Sequence, residues 1–249
     1  MVERAMRRWY VISLRPQGEH GALRRAAARV GARTVALSPW KLVPLEDAHA
    51  RAALEAALAA PRVVFTSPAA VRAAARLAAL RRRRAQAWCA VGAGTAAALR
   101  RAGLEPVAVP ERMDSEGLLA LPELRDVRGI AVGLVTAPGG RDAIAPALRA
   151  RGAQVRRADV YRRLPLPPSP RTLARLRALD APAVLVASSG EALERTMQAL
   201  PADLAARLRA GPLVVASARL AERARALGFA DIRLARGPRP ADLVAAAAG

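Results

Sequence analysis

A chain of 249 residues, 53% hydrophobic but only 3% aromatic, has room for one large domain or two of about 120 residues each. The single cysteine, Cys89, excludes an intrachain disulfide and fits a reducing compartment. The formal charge of +21 points to an anionic partner, but Lys41 is the only lysine, and the arginines are spread over every helix alongside abundant Ala, Gly and Pro, as a biased codon set would produce.

In chain order, the first apolar run, Tyr10–Leu14, ends in Arg15-Pro16 and leads into an Ala/Leu/Arg segment of helical period. Trp9 to Leu14 is too short for a signal peptide. Val63–Phe65 ends in Thr66-Ser67, and Arg81-Arg82-Arg83-Arg84 reads as a solvated loop before the next strand. Trp88–Val91 contains Cys89, read as buried and inert, and ends in Gly92-Ala93-Gly94-Thr95. Val107–Val109 follows, then Asp114-Ser115-Glu116 as a helix start. Ile130–Val135 precedes Gly139-Gly140-Arg141, Ala183–Val186 precedes Ser188-Ser189-Gly190, and Leu213–Val215 and Ile232–Leu234 complete the series. Apolar runs alternating with helical segments predict an α/β fold with parallel sheets flanked by helices. None of the runs approaches the roughly 18 residues of a membrane span, so a cytoplasmic protein with no membrane contact is expected.

The chain also matches itself. The stretch 24–45 aligns with 148–166, placing Gly31 on Gly152. FTSPAAV (65–71) aligns with VASSGEAL (186–193), placing Ser67 on Ser189, and 90–111 aligns with 214–236, placing Gly103 on Gly228. The protein is therefore expected to hold two similar domains. Each copy carries an aromatic, basic and proline-rich stretch at the equivalent point, Trp40–Pro44 and Tyr161–Pro165, and such segments are extended and stiff. If both are crossings, domain 1 is discontinuous, 1–38 plus 169–249, domain 2 spans 46–159, and 39–45 and 160–168 form a two-stranded linker. Two tandem domains are the alternative.

In open parallel sheets ligands bind at the carboxyl ends of the strands, where helix N-termini favour anions. The small polar residues fall there: Arg15, Thr66, Ser67, Gly92, Thr95, Gly140, Arg141, Ser188 and Ser189. For each hydroxyl a plain helix N-cap is the competing reading. Gly92-x-Gly94-x-x-Ala97 with Glu111 imitates a dinucleotide fingerprint, but a tight strand-to-helix turn explains it. His20 and His49, the only histidines, are too few for a metal site, and Cys89 lacks a base partner. An enzyme that works by holding an anionic, intrinsically reactive substrate in the right shape, a two-domain module binding a small anion, and a nucleic-acid binder all remain open on the residues alone.

VFTSPAAVRAAA, CAVGAGTAAALRRAGLEPVAVPE with DSEGLLAL, GGRDAIAPALRARGAQVRRADVYRR and the closing ARALGFADIRLARGPRPADLVAA together resemble the uroporphyrinogen-III synthase family, over almost the whole chain from about Val11 to Ala247. The resemblance implies a cofactor-free, metal-free lyase that cyclises hydroxymethylbilane with loss of water and inversion of the last pyrrole ring in the cleft between the domains. It implies Tyr161 as the catalytic residue that assists loss of the hydroxyl. Substrate-binding positions would be Thr66, Ser67, Gly92, Thr95, Gly140 and Arg141, with Arg15, Ser188 and Ser189 from domain 1. A monomer with the linear tetrapyrrole as its partner, and no nucleic acid, is expected. The chain departs from the family at Leu14-Arg15-Pro16, where Thr-Arg-Pro is usual. It departs again at Ala187-Ser188-Ser189, and at Ser217–Ala221, where the family threonine is missing.

Overall fold

The computed structural model describes residues 9–139 and 143–249. The chain divides into two compact units. Unit 1 is the described part of Met1–Lys41 with Leu164–Gly249, and unit 2 is Leu42–Arg163.

Unit 1 is built on a sheet of five parallel strands. In chain order they are β1 (Trp9–Ser13), β2 (Ala32–Ala36), β10 (Ala183–Ala187), β11 (Leu213–Val215) and β12 (Ile232–Leu234), and in space they run β12-β11-β10-β1-β2. The central strands are continuous apolar runs, because helices cover both faces of a parallel sheet. Tyr10 to Ser13 of β1 and Val184 to Ala187 of β10 are all buried. Helices α1 (Gly21–Arg29) and α11 (Pro240–Ala248) pack against one another and against the sheet. Leu23, Leu243 and Val244 join Val11, Val184 and Val214 in one core. Helices α7 (Pro170–Arg177), α8 (Gly190–Ala199), α9 (Ala202–Ala210) and α10 (Ala218–Ala226) complete the unit.

Unit 2 repeats the plan with β4 (Arg62–Phe65), β5 (Ala87–Ala90), β6 (Val107–Ala108), β7 (Ala131–Thr136) and β8 (Gln154–Asp159), in the order β6-β5-β4-β7-β8, again all parallel. Its helices are α2 (Ala48–Leu58), α3 (Pro68–Leu77), α4 (Ala93–Arg101), the short α5 (Ser115–Leu119) and α6 (Ile144–Ala150). Phe65 and Trp88 stack in its core with centroids 5.5 Å apart and rings 16° from parallel. Gly133 sits mid-β7 because α2 lies so close that a Cβ there would fall 2.0 Å from the Ala57 carbonyl oxygen.

The duplication and the units are out of phase. The first sequence repeat runs β1-β2-β4-β5-β6 and the second β7-β8-β10-β11-β12. Unit 1 joins the first two strands of one repeat to the last three of the other, and unit 2 does the reverse. The crossings are β3 (Trp40–Pro44) and β9 (Tyr161–Pro165), which form a separate two-stranded sheet. Each end of that sheet is fixed within a unit. Leu166 N–H donates to the Pro39 carbonyl at 3.0 Å in unit 1, and Leu45 N–H to the Val160 carbonyl at 3.0 Å in unit 2.

Strands β2 and β8 are absent from the expected apolar runs, and their burial explains why. Both are edge strands with arginines, Arg33 in β2 and Arg156 and Arg157 in β8, and alternating exposure. Among the described residues no helix is long and apolar enough to cross a membrane.

Candidate active site

The carboxyl edge of unit 2 is assembled around its middle strand, β4. Backbone pairing continues past the strand ends: Thr66 N–H donates to the Val135 carbonyl at 3.2 Å, Val91 N–H to Phe65 at 3.2 Å, and Val160 N–H to Thr136 at 3.0 Å. The side chains that follow are thereby held at one level. Thr66 Oγ1 donates to Thr136 Oγ1 at 2.8 Å. Ser67 Oγ lies 3.2 Å from the Tyr161 hydroxyl, with either oxygen able to donate.

Ser67 has a second task. In extended conformation it caps α3, its Oγ accepting from Ala70 N–H at 3.0 Å, with Pro68 at the first helical position. The cap fixes the Ser67 rotamer, and with it the point that Tyr161 meets. The body of Tyr161 belongs to the same core as Phe65, Trp88 and Val135. Only 5% of its surface is exposed, so a bound molecule could reach just a small part of the ring. Two residues along β9, on the same side of the strand, Arg163 brings Nη1 to 3.7 Å from the position a Cβ on Gly139 would take. A guanidinium thus stands at the end of β7, a placement that the alternation from Tyr161 could have suggested.

The Gly92 turn is the next strand end along. A Cβ on Gly92 would lie 3.3 Å from the Met113 side chain, and Met113 Sδ accepts from Ala93 N–H at 3.4 Å. Thr95 is 2% exposed, in the first turn of α4. The thioether therefore occupies the first amide of that helix, and Thr95 packs inward. Cys89, on β5, is wholly buried, and burial raises its thiol pKa to about 12, with Glu123 adding to the rise and Arg62 opposing it. Gly140 and Arg141 lie outside the described residues.

The equivalent edge of unit 1 holds the other expected positions. Ser189 caps α8, accepting from Ala192 N–H at 3.3 Å, and Ser188 is exposed. Arg223 packs over Gly190, where a Cβ would meet its Cδ at 2.8 Å, and is ion-paired with Glu194. Arg15 is half-buried at the end of β1. Burial lowers its pKa and the charge of Glu19 partly offsets this.

His20, which the sequence offers only as one of too few ligands for a metal, is buried. Its ring lies 2.8 Å from Ser13 Oγ on one side and 2.8 Å from Ser38 Oγ on the other. No local motif announces that arrangement, since Ser38 is 18 residues away.

The edge of unit 2 thus gathers Thr66, Ser67, Thr136 and Tyr161 by hydrogen bonds and sets Arg163 nearby. It is a polar, cationic strand-end site on a duplicated doubly wound α/β scaffold. The sequence model described as uroporphyrinogen-III synthase HemD matches residues 21–245, and the chain belongs to that family. Uroporphyrinogen-III synthase of Escherichia coli K12 is 34% identical over 151 residues, 59% of this chain and 61% of the relative. That of Salmonella typhimurium LT2 is 34% identical over 150 residues, with the same coverage. The chain thus spans about three fifths of the length of these relatives. A mutant uroporphyrinogen III synthase from Thermus thermophilus shares the fold with a TM-score of 0.60, at 19% identity and 96% coverage of both chains. The synthetase from Helicobacter pylori 26695 does so at 0.53, with 14% identity and 96% and 98% coverage.

Proposed function

We propose that the chain is a cofactor-independent hydro-lyase, a uroporphyrinogen-III synthase that converts hydroxymethylbilane to uroporphyrinogen III. The observation that carries this reading is the Tyr161 hydroxyl, held 3.2 Å from Ser67 at the end of the middle strand of unit 2. Family membership supplies the reaction class.

In this reaction the substrate's hydroxyl leaves as water. The resulting carbon electrophile is attacked by the last pyrrole ring, which inverts through a spiro intermediate before the macrocycle closes. The proton that departs with the hydroxyl is balanced by the one lost from the ring carbon on closure, so no oxidant or reductant is consumed. Ser67 Oγ already accepts from Ala70 N–H. Its own proton can therefore go to the Tyr161 oxygen, leaving the phenol O–H to donate to the leaving hydroxyl. Thr66, Ser188 and Ser189 are further substrate-binding positions, and the Gly92 turn with its inward-packed Thr95 shapes the edge beside them. Arg15, Gly140 and Arg141 meet the substrate's carboxylates, the arginines bidentately. Holding a reactive substrate in one conformation is the main contribution of such a site.

We infer further a monomer that acts in the cytoplasm without nucleic acid. On the nucleic-acid point, Arg82 of the block 81–84 is engaged with its own fold, donating to the carbonyls of Gln86 and Glu105 at 2.9 Å each, which leaves fewer guanidiniums there for a polyanion. The test is to supply freshly made hydroxymethylbilane and separate the uroporphyrinogen isomers. Isomer III is expected, and isomer I alone, the spontaneous product, overturns the reading.

A further inference from the structure

His20 is 5% exposed and has no part in the chemistry above. Its ring joins three segments of unit 1. Nδ1 meets Ser13 at the end of β1, Nε2 meets Ser38 in the segment after β2, and His20 itself begins α1. In a neutral imidazole one nitrogen donates and the other accepts, and a serine hydroxyl can take either role, so both bonds form in either tautomer. A parallel tie runs close by, with Gln17 N–H donating to the Trp40 carbonyl at 3.0 Å. The loop clamped between these ties, 14–20, carries Arg15 and turns at Gly18, whose φ is +83°. The charged groups that face the ring are Arg15 and Glu19 on its own loop and Arg24 on α1. The end of β1 and the segment after β2 present it with the hydroxyls of Ser13 and Ser38. Burial, then Arg24 and Arg15, keep the imidazole pKa below its ordinary value, against a smaller opposing pull from Glu19.

We propose that His20 is the positioning residue for Arg15, its ring bolting loop 14–20 to the ends of β1 and β2 so that the guanidinium is presented in one orientation to a substrate carboxylate. The proposal rests on the lyase reading in that Arg15 must meet substrate. Two-pronged recognition of a carboxylate needs the guanidinium plane fixed, which a free seven-residue loop would not do.

Ser38→Ala removes one bond and leaves the ring, and His20→Asn keeps an amide near the Nδ1 position. Hydrogen exchange of the peptide spanning 14–20 is measured on the full chain without substrate, and KM and kcat are measured with hydroxymethylbilane. Each variant should exchange about tenfold faster in that peptide and raise KM about five- to tenfold, with kcat changed less than about twofold. A purely structural role would lower the melting temperature and leave KM alone. Unchanged exchange, or faster exchange with an unchanged KM, overturns the proposal while the lyase reading stands. A wild-type chain that makes no isomer III sinks the lyase reading first and the role of Arg15 with it.

Discussion

Tyr161→Phe removes one oxygen from a ring that otherwise keeps its place in the core, so the two consequences of the change can be separated. The lost hydrogen bond, at 3.2 Å, is long for an O–H···O pair. A net value of about 0.5 kcal/mol, the low end of the usual range, is appropriate. Ser67 is not orphaned, because Ala70 N–H still donates to it. A loss of that size moves the melting temperature of a chain this long by about 1–2 °C. Removal of a proton donor from a leaving group costs far more, about a hundredfold in kcat at the lower end of general acid contributions. The assay measures isomer III formation with the spontaneous closure to isomer I subtracted, and calorimetry on the same sample. The variant should melt almost like the wild type, turn over about a hundredfold more slowly, and release a larger fraction of isomer I. A kcat within twofold of wild type would remove the phenol from the reaction. A melting temperature lower by 10 °C or more, with kcat falling in step, would make it a structural group instead.

Gly133→Ala should cost about 3 kcal/mol or more, read as a lowered urea midpoint, because the new Cβ would fall 2.0 Å from a backbone carbonyl of α2 that cannot swing aside. Cys89, wholly buried and with its thiol pKa raised to about 12, should resist iodoacetamide at pH 8 in the native protein and react in urea; rapid native labelling would contradict the burial. His20 is expected to lower stability as pH falls below about 6.5. In that range the unfolded chain protonates its histidine at the ordinary value while the native imidazole, with its lowered pKa, resists, so the unfolded state binds more protons. Urea midpoints for the wild type and His20→Asn between pH 7 and pH 5 test this, since the variant should lose that part of the slope and an identical slope would refute it.

The fold class was legible because its signals are local. Val63 to Phe65, Trp88 to Val91 and Ile130 to Val135 are apolar runs without alternation, which only a strand covered on both faces needs. Strands β2 and β8 are hidden in the sequence because an edge strand has one partner and here carries arginines, so its residues read like those of the helices on either side. The hydroxyls at the strand ends were legible as caps, and Ser67, Ser189 and Ser217 each accept an N–H from the first turn of the helix they begin. The union of Ser67 with Tyr161 spans 94 residues, and no spacing rule reaches that far. The His20 clamp was invisible for the same reason, and because a histidine beside a helix start has an ordinary solvated explanation.

The duplication offers an internal control on the site. Ser67 and Ser189 occupy equivalent strand ends and do the same work, each capping the helix that follows. Trp40 and Tyr161 open the two crossing strands, and both are buried, at 4% and 5% exposure. Packing therefore demands a large ring at both places and a capping hydroxyl at both strand ends. Packing does not demand that the ring end in a hydroxyl. That group is present only in unit 2, where it meets the capping serine. In unit 1 the neighbouring polar work falls to His20, and the Trp40 backbone rather than its ring tip receives Gln17. The two copies thus share these scaffold duties, and the packing of the ring leaves the Tyr161 hydroxyl unexplained. The Tyr161 hydroxyl is on that ground the first atom to test for chemistry.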